Sequence, residues 1–460
     1  MARTIKWNRE STLWIAPTLA LLAGLFAKSQ GVPTPACWTM AVAIICALWW
    51  IFEPIPIPAT SLIPFGILPL TGVLSNKDVA AAYGHPLILL LMGGFILSTA
   101  MEKSGTHKRL ALGIVRLVGG GGKRLVLGFM IATALLSMWI SNTATTLMLL
   151  PVALAVIDQS EDKDIAIPLM LGIAYSASVG GIGTPVGTPP NVIFMGIYEK
   201  VTGKSISFLA WMKMGIPLVV CFIPIIWLYI TRQLKQSAPI KLPTLGPWRK
   251  AEVRVLGVFF ITAVAWITRV APMGGWSQFL GPVRIGDDTV ALTAAVIMFL
   301  IPDGEGERLL DWETAVRIPW GILLLFGGGI ALAKAFGSSG LSAMMGQTLS
   351  GLTHWPVLLM LFVIAIAVTF LTEVTSNTAT TTLLMPILAA AGVAANIDPA
   401  LLMIPATMSA SCAFMLPVAT APNAIVFGTQ YITTQTMARE GFALNTIGAF
   451  LITALCYFML

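Results

Sequence analysis

A polar hexad occurs twice in this chain, each time inside an apolar run. The first copy is Ser141-Asn142-Thr143-Ala144-Thr145-Thr146, followed by apolar residues to Pro151. The second, 235 residues later, is Ser376-Asn377-Thr378-Ala379-Thr380-Thr381, which runs on in the same way to Pro386. Polar groups without partners cost free energy in apolar surroundings, most of all in lipid. A single such cluster reads as Ser/Thr back-bonding within an ordinary helix. Two near-identical clusters half a chain apart read as one site contributed by two halves.

The surroundings of both hexads are those of a membrane protein. Of the 460 residues 57% are hydrophobic and only 10% charged, against about a quarter charged in soluble domains. Apolar runs near 12–27, 36–52, 57–75, 206–231, 252–273, 287–302 and 441–460 approach the ~20 residues that a helix needs to cross a bilayer. The expected fold class is therefore an all-α polytopic membrane protein. The net charge of +7 comes from Lys and Arg in short loops. That is the positive-inside pattern, so no nucleic-acid partner is expected. The five cysteines lie in apolar segments without metal spacing, and His85, His107 and His354 are scattered. With HExxH and GxSxG also absent, neither a metal centre nor a membrane hydrolase is indicated. The run Leu13 to Ala27 follows Arg3, Lys6 and Arg9 and has no clear cleavage site after it. It reads as a retained first helix.

Around each hexad the pattern departs from simple spanning helices. Residues 124–158 and 354–393 place the Ser-Asn-Thr triplet near the middle. Each arm is then about 15 residues, short for a crossing, which predicts two re-entrant hairpins with the triplets at their tips. After each hairpin comes a run broken by glycine and proline: Gly180 to Asn191 in the first half, Leu416 to Asn423 in the second. Pro185-Val186 and Pro190-Asn191 recur as Pro417-Val418 and Pro422-Asn423, each 232 residues on. A broken helix is tolerated in a bilayer only where protein or a polar cavity covers the freed backbone. Leu89 to Gly94 is echoed by Leu323 to Gly328, so the repeat extends upstream of the hairpins.

A hairpin adds no crossing, which leaves five crossings per half and makes the two repeats inverted. With the N-terminus inside, the basic stretches Lys103–Arg124 and Arg232–Arg254 fall on the cytoplasmic side, and the C-terminus lies outside. Inverted repeats with discontinuous helices hold substrate and ions at the midplane between the halves. Helix N-termini present unpaired amides and partial positive charge, and so bind carboxylates. Two such tips suit a ligand with two acidic ends, a divalent anion. Carbonyls freed around Gly187 and Ala419, with the side-chain oxygens of Asn142 and Asn377, are hard ligands suited to Na⁺. No acid or histidine lies within either motif. Glu373 is the nearest, and because its counterpart is Met138 it reads as a structural hydrogen-bond partner. Lys334 reads as snorkelling toward the interface, and the acidic loop 303–313 as a solvated surface.

The paired triplets, the Thr188-Pro189-Pro190-Asn191 loop and the Leu416-Pro417-Val418-Ala419-Thr420 loop resemble the divalent anion/sodium symporters, and among them the bacterial INDY-type dicarboxylate transporters. The resemblance covers nearly the whole chain. It implies about eleven transmembrane helices, two re-entrant hairpins and a homodimer in the plasma membrane that works by an elevator motion. In that scheme residues 1–123 and 232–353 form the scaffold, and residues 124–231 and 354–460 form the transport domain. The first Na⁺ carries over to Ser137, Ser141, Asn142 and Gly187, the second to Thr372, Thr375, Asn377 and Ala419. Substrate carboxylates carry over to the tips, Ser141, Asn142 and Thr143 with Ser376, Asn377 and Thr378, lined by Thr188, Pro189 and Thr420. One departure bears on substrate size: the second loop reads Thr420-Ala421-Pro422-Asn423, where the family often has Thr-Pro-Pro-Asn. The activity implied is Na⁺-coupled symport of C4 dicarboxylates such as succinate, malate and fumarate. The alternatives are a dicarboxylate exchanger or a citrate or sulfate carrier of the same fold, with an anion channel as a different class.

Overall fold

The computed structural model describes residues 9–119, 121–160, 162–234, 246–270, 274–280, 285–344 and 355–460. Arg3, Lys6, Glu161, Lys235, Lys241 and His354 lie outside the described residues, as does the boundary at 353/354. Among the described residues the chain is helical, with a single isolated bridge between Pro302 and Arg308. Among the described residues, nine helical segments are long and apolar enough to cross a membrane by length and composition. Their outer faces carry exposed Trp14, Phe26, Phe260, Ile261 and Phe458, the surface expected of a protein solvated by lipid.

The chain begins with α1 (Arg9–Ser29) and α2 (Thr34–Phe52), which pack along each other. The expected third span at 57–75 is not one helix. It is α3 (Ile57–Thr60) and α4 (Ile63–Leu70), followed by α5 (Asn76–Tyr83). Pro58, Pro64 and Pro69 each lack the N–H that a continuous helix requires, and each is seated near a helix start or in a last turn. Helix α6 (Pro86–Ser104) is capped by His85, whose Nδ1 accepts from Leu87 N at 3.3 Å. It turns at Gly105 into α7 (Thr106–Val118).

The first hairpin is α8 (Gly122–Ser137) and α9 (Asn142–Gln159), and the first broken helix is α10 (Ala166–Gly180) and α11 (Pro189–Thr202), followed by α12 (Phe208–Ile230). Next come α13 (Lys250–Thr268), α14 (Asp287–Leu300), α15 (Trp312–Ala315) and α16 (Trp320–Ser338). The second hairpin is α17 (Val357–Thr372) and α18 (Asn377–Ala394). The second broken helix is α19 (Ala400–Ala410) and α20 (Ala421–Phe427), and α21 (Thr434–Met459) ends the chain.

The two halves repeat one packing scheme. Helix α8 lies on α10 and α12, and α9 lies on α10. In the second half α17 lies on α19 and α21, and α18 lies on α19. The halves then interlock reciprocally: α9 packs on α20, and α18 packs on α11. The first broken helix is almost wholly enclosed, as its freed backbone requires. Tyr175 on α10 donates to Phe414 O in the second break at 2.9 Å and ties the two discontinuities together.

Helices α6 and α16 meet this interlocked set with glycines. A Cβ on Gly94 would lie 3.2 Å from Val186, and one on Gly329 would collide with Thr382. Small residues at these points let helix backbones approach closely. Lys334 does not snorkel free: it pairs with Asp78, so its charge links α16 to α5. The acidic loop lies at the surface, with Lys103 bonded to Asp311 at 2.7 Å.

Candidate functional site

Both triplets and both helix breaks meet at one cavity of about 700 Å³. Its wall includes Ser141, Asn142 and Thr143, then Gly187, Thr188 and Pro189, then Ser376, Asn377 and Thr378, and finally Ala419 and Thr420. Four helix N-termini therefore converge on it, those of α9, α11, α18 and α20. Among the described residues no Lys, Arg or His lies in the wall. Its attraction for an anion rests on hydroxyls, carboxamides and main-chain N–H groups.

Each tip is built by local chemistry. Ser141 caps α9, its Oγ accepting from Ala144 N at 3.2 Å, and Thr420 caps α20 through Asn423 N at 3.2 Å. Ser376 and Thr188 occupy N-cap positions without a side-chain cap bond, so their hydroxyls are available to a ligand. Pro189 and Pro190 open α11 and supply no N–H, whereas α20 opens on Ala421, which supplies one. The two ends of the cavity are thus unequal by one donor.

Behind each triplet lies the same oxygen cluster. Ser137 Oγ is 2.6 Å from Asn142 Oδ1 and 2.7 Å from Ala177 O. Thr372 Oγ1 is 2.8 Å from Asn377 Oδ1 and 3.1 Å from Ala410 O. In each cluster one hydroxyl proton serves two acceptors, so lone pairs outnumber protons. A cation would satisfy that surplus, and neutral oxygen donors suit Na⁺ rather than a soft metal. Among the described residues no group of three His, Cys, Asp or Glu side chains could hold a metal ion.

At the first break a Cβ on Gly187 would collide with Gly181 O and come within 2.9 Å of Met138 O, while one on Gly181 would sit 2.7 Å from Asn142 Oδ1. Oxygens from the tip and the break therefore crowd around Gly187. Ala419 holds the equivalent place in the second half and does carry a methyl group. Gly187→Ala is expected to cut Na⁺-stimulated uptake by roughly tenfold or more, since forcing a methyl into a packed site costs ~1–3 kcal/mol. Ala419→Gly should have the smaller effect. Titrating uptake against Na⁺ for both variants checks the contrast.

The breaks are held by paired asparagines. Asn191 Nδ2 donates to Gly181 O at 2.9 Å and Thr184 O at 2.8 Å, and Asn423 Nδ2 donates to Ala413 O at 3.0 Å and Leu416 O at 3.1 Å. Tip and break are joined differently in the two halves. In the first, Thr184 Oγ1 donates to Met138 O. In the second, the buried Glu373 carboxylate accepts from Phe414 N at 2.7 Å, Met415 N and Leu416 N at 2.9 Å, and Asn445 Nδ2 at 2.7 Å. This is the structural hydrogen bonding expected of Glu373.

Residues 8–459 match the family described as the sodium:sulfate symporter transmembrane region. The chain belongs to this family. Among its symporter relatives, the sodium-dependent dicarboxylate transporter SdcS of Staphylococcus saprophyticus is 41% identical, over 97% of this chain and 90% of its own length. The protein of the same name from Staphylococcus aureus is also 41% identical, with the same coverage. Of solved structures, the Alcanivorax borkumensis YdaH transporter aligns with a TM-score of 0.59 at 15% identity, covering 84% of this chain and 86% of that one. Neisseria gonorrhoeae MtrF aligns with a TM-score of 0.61 at 13% identity, covering 86% and 84%. At such identities the likeness is one of fold, described for YdaH as an unusual topology.

Every residue assigned to the symporter's substrate from sequence lines the cavity. Of those assigned to Na⁺, Ser137 and Thr372 stand behind it, bonded to the triplet asparagines, while Thr375 lines it and bonds Thr380 Oγ1 at 2.5 Å. Sequence reading missed Ile51, Glu53, Phe95, Pro319 and Ile322. They reach the cavity from α2, α6 and α16 by tertiary packing, and no local motif marks them.

Proposed function

We infer that the chain is a sodium-coupled symporter of dicarboxylates, a transporter rather than an enzyme, with C4 diacids such as succinate, malate and fumarate as its substrates. The observation that carries this reading is the meeting of two neutral anion cradles in one cavity, each backed by an oxygen cluster short of protons. The names of the SdcS relatives support the same pairing of Na⁺ with a dicarboxylate. Asn142, Thr143, Asn377 and Thr378 hold the two carboxylates, with Ser141, Ser376, Thr188, Pro189 and Thr420 completing the pocket. One Na⁺ sits among Ser137, Ser141, Asn142 and Gly187, and the other among Thr372, Thr375, Asn377 and Ala419. Their positive charge offsets a dianion that meets no cationic side chain, which couples the two bindings.

The motion we propose is an elevator in which 124–231 and 354–460 move against a scaffold of 1–123 and 232–353. In its support, the cavity lies on the seam: Glu53, Phe95 and Ile322 face it from one set, and the triplets face it from the other. The glycines at Gly94 and Gly329 keep that seam smooth. A second cavity of about 650 Å³ shares Phe95, Ser141, Thr143 and Pro319 with the first and leads to Lys103, Lys108 and Arg317. Those cations belong to the face that the positive-inside rule assigns to the cytoplasm, which supports reading this as an inward-open state with the N-terminus inside and the C-terminus outside in the plasma membrane. The homodimer rests on the family resemblance alone.

Reconstituted vesicles test the reading. Uptake of succinate is expected to rise with an inward Na⁺ gradient and to vanish when Na⁺ is replaced by K⁺. Uptake indifferent to Na⁺, and stimulated instead by internal succinate, would overturn it in favour of an exchanger.

A further inference from the structure

Glu53 supplies the cavity's lone acidic side chain among the described residues. It caps the C-terminus of α2 with φ 48° and ψ 51°, its N–H bonded to Trp49 O at 3.0 Å. Glycine or asparagine is the usual occupant of a left-handed cap, because a Cβ is strained there. Pro54 and Pro56 follow at once and limit the backbone beyond it. Trp50, buried one turn earlier, donates from Nε1 to Ser61 Oγ at 3.0 Å and pins the end of α2. Glu53 is an exposed residue of the cavity wall and makes no ion pair with any described residue. A rigid mount thus holds an acidic residue without an ion-pair partner in the same wall as helix N-termini that favour anions.

Size does not explain why such a cavity would stop at two carboxylates. At about 700 Å³ it is large enough for a six-carbon tricarboxylate. With both ends of a diacid seated at Asn142 and Asn377, a third carboxylate would share the cavity with Glu53. Like charges in one cavity disfavour each other, and rejecting a competitor through an unpaired charge is an established route to specificity. We propose that Glu53 is the charge filter of the site: it admits dianions and rejects trianions such as fully ionised citrate. This inference rests on the dicarboxylate reading above.

The test uses full-length protein in vesicles, with Na⁺-driven succinate uptake and citrate as competitor. Glu53→Gln is expected to leave the succinate KM within about threefold of wild type and to lower the half-inhibitory citrate concentration by about tenfold. Glu53→Asp, which restores the charge, should behave as wild type. Glu53→Asn fits the left-handed backbone and should repeat the effect of Glu53→Gln if that variant proves unstable. In mildly acidic buffer, where citrate takes up a proton and becomes a dianion, wild-type inhibition should strengthen more than that of Glu53→Gln. Equal changes for succinate and citrate, or unchanged citrate exclusion in both neutral variants, would overturn the filter. Wild-type protein that takes up no succinate under a Na⁺ gradient would instead overturn the functional reading, so the two failures are distinct.

Discussion

Asn142→Ala and Asn377→Ala are each expected to abolish Na⁺-driven succinate uptake while leaving folded protein. Each asparagine has two duties. Its Oδ1 belongs to the oxygen cluster with Ser137 or Thr372, and its NH₂ is a donor in the cavity wall. A hydrogen bond to a charged group contributes ~1.5–3 kcal/mol. Losing such a bond to a carboxylate together with an oxygen ligand to Na⁺ compounds to a fall of roughly a hundredfold or more in transport. Neither residue is fully buried, so the thermal melt should move little. Vesicle uptake paired with a melting curve in detergent separates the two effects, and wild-type uptake by either variant would remove the tips from the mechanism. The same substitution at Asn191 or Asn423 should unfold instead, because those side chains hold the broken backbone together.

Glu373→Ala is expected to give the largest loss of stability of any single change in the site. It removes the carboxylate from three main-chain N–H groups and one carboxamide at a position 3% exposed, and of these only Phe414 N keeps a second acceptor, Asn445 Oδ1 at 3.2 Å. An orphaned buried donor costs ~1–3 kcal/mol, so the loss at Met415 N, Leu416 N and Asn445 Nδ2 reaches into the ~5–15 kcal/mol that holds a typical domain together. The variant should fail to purify as monodisperse protein, or melt far below wild type. Glu373→Gln keeps one acceptor oxygen and should fall between. Met138→Ala, at the matching place in the first half, should be mild, because there the tie runs through the Met138 main-chain carbonyl. Similar melting temperatures for Glu373→Ala and Met138→Ala would refute this account of how each break is fastened.

What the sequence shows of this fold is what is encoded locally. The hexads, the glycine and proline breaks and the glycine pairs of α6 and α16 carry their own signals, because a backbone that must bend or approach closely needs particular residues where it does so. The family likeness and the convergence of both tips agree with that reading. The run 57–75 misled because its hydrophobicity matches a span while Pro58, Pro64 and Pro69 divide it. Lys334 misled for another reason: its partner Asp78 is 256 residues away in sequence, and nothing near Lys334 announces it. The scaffold side of the cavity was illegible on the same ground. Glu53 sits in a proline-rich turn with the look of a connector, and only the packing of α2 against the rest turns that connector into a wall of the site.

The inequality between Pro189 and Ala421 has a consequence for ligands whose two halves differ. A diacid such as succinate or fumarate looks the same from either end and would be seated equally well in either sense. Malate carries a hydroxyl beside one carboxylate, so the additional amide at Ala421 makes its two seatings unequal in energy. Near-mirror architecture with one atom of imbalance can therefore read the direction of a lopsided molecule while treating even-ended ones without preference.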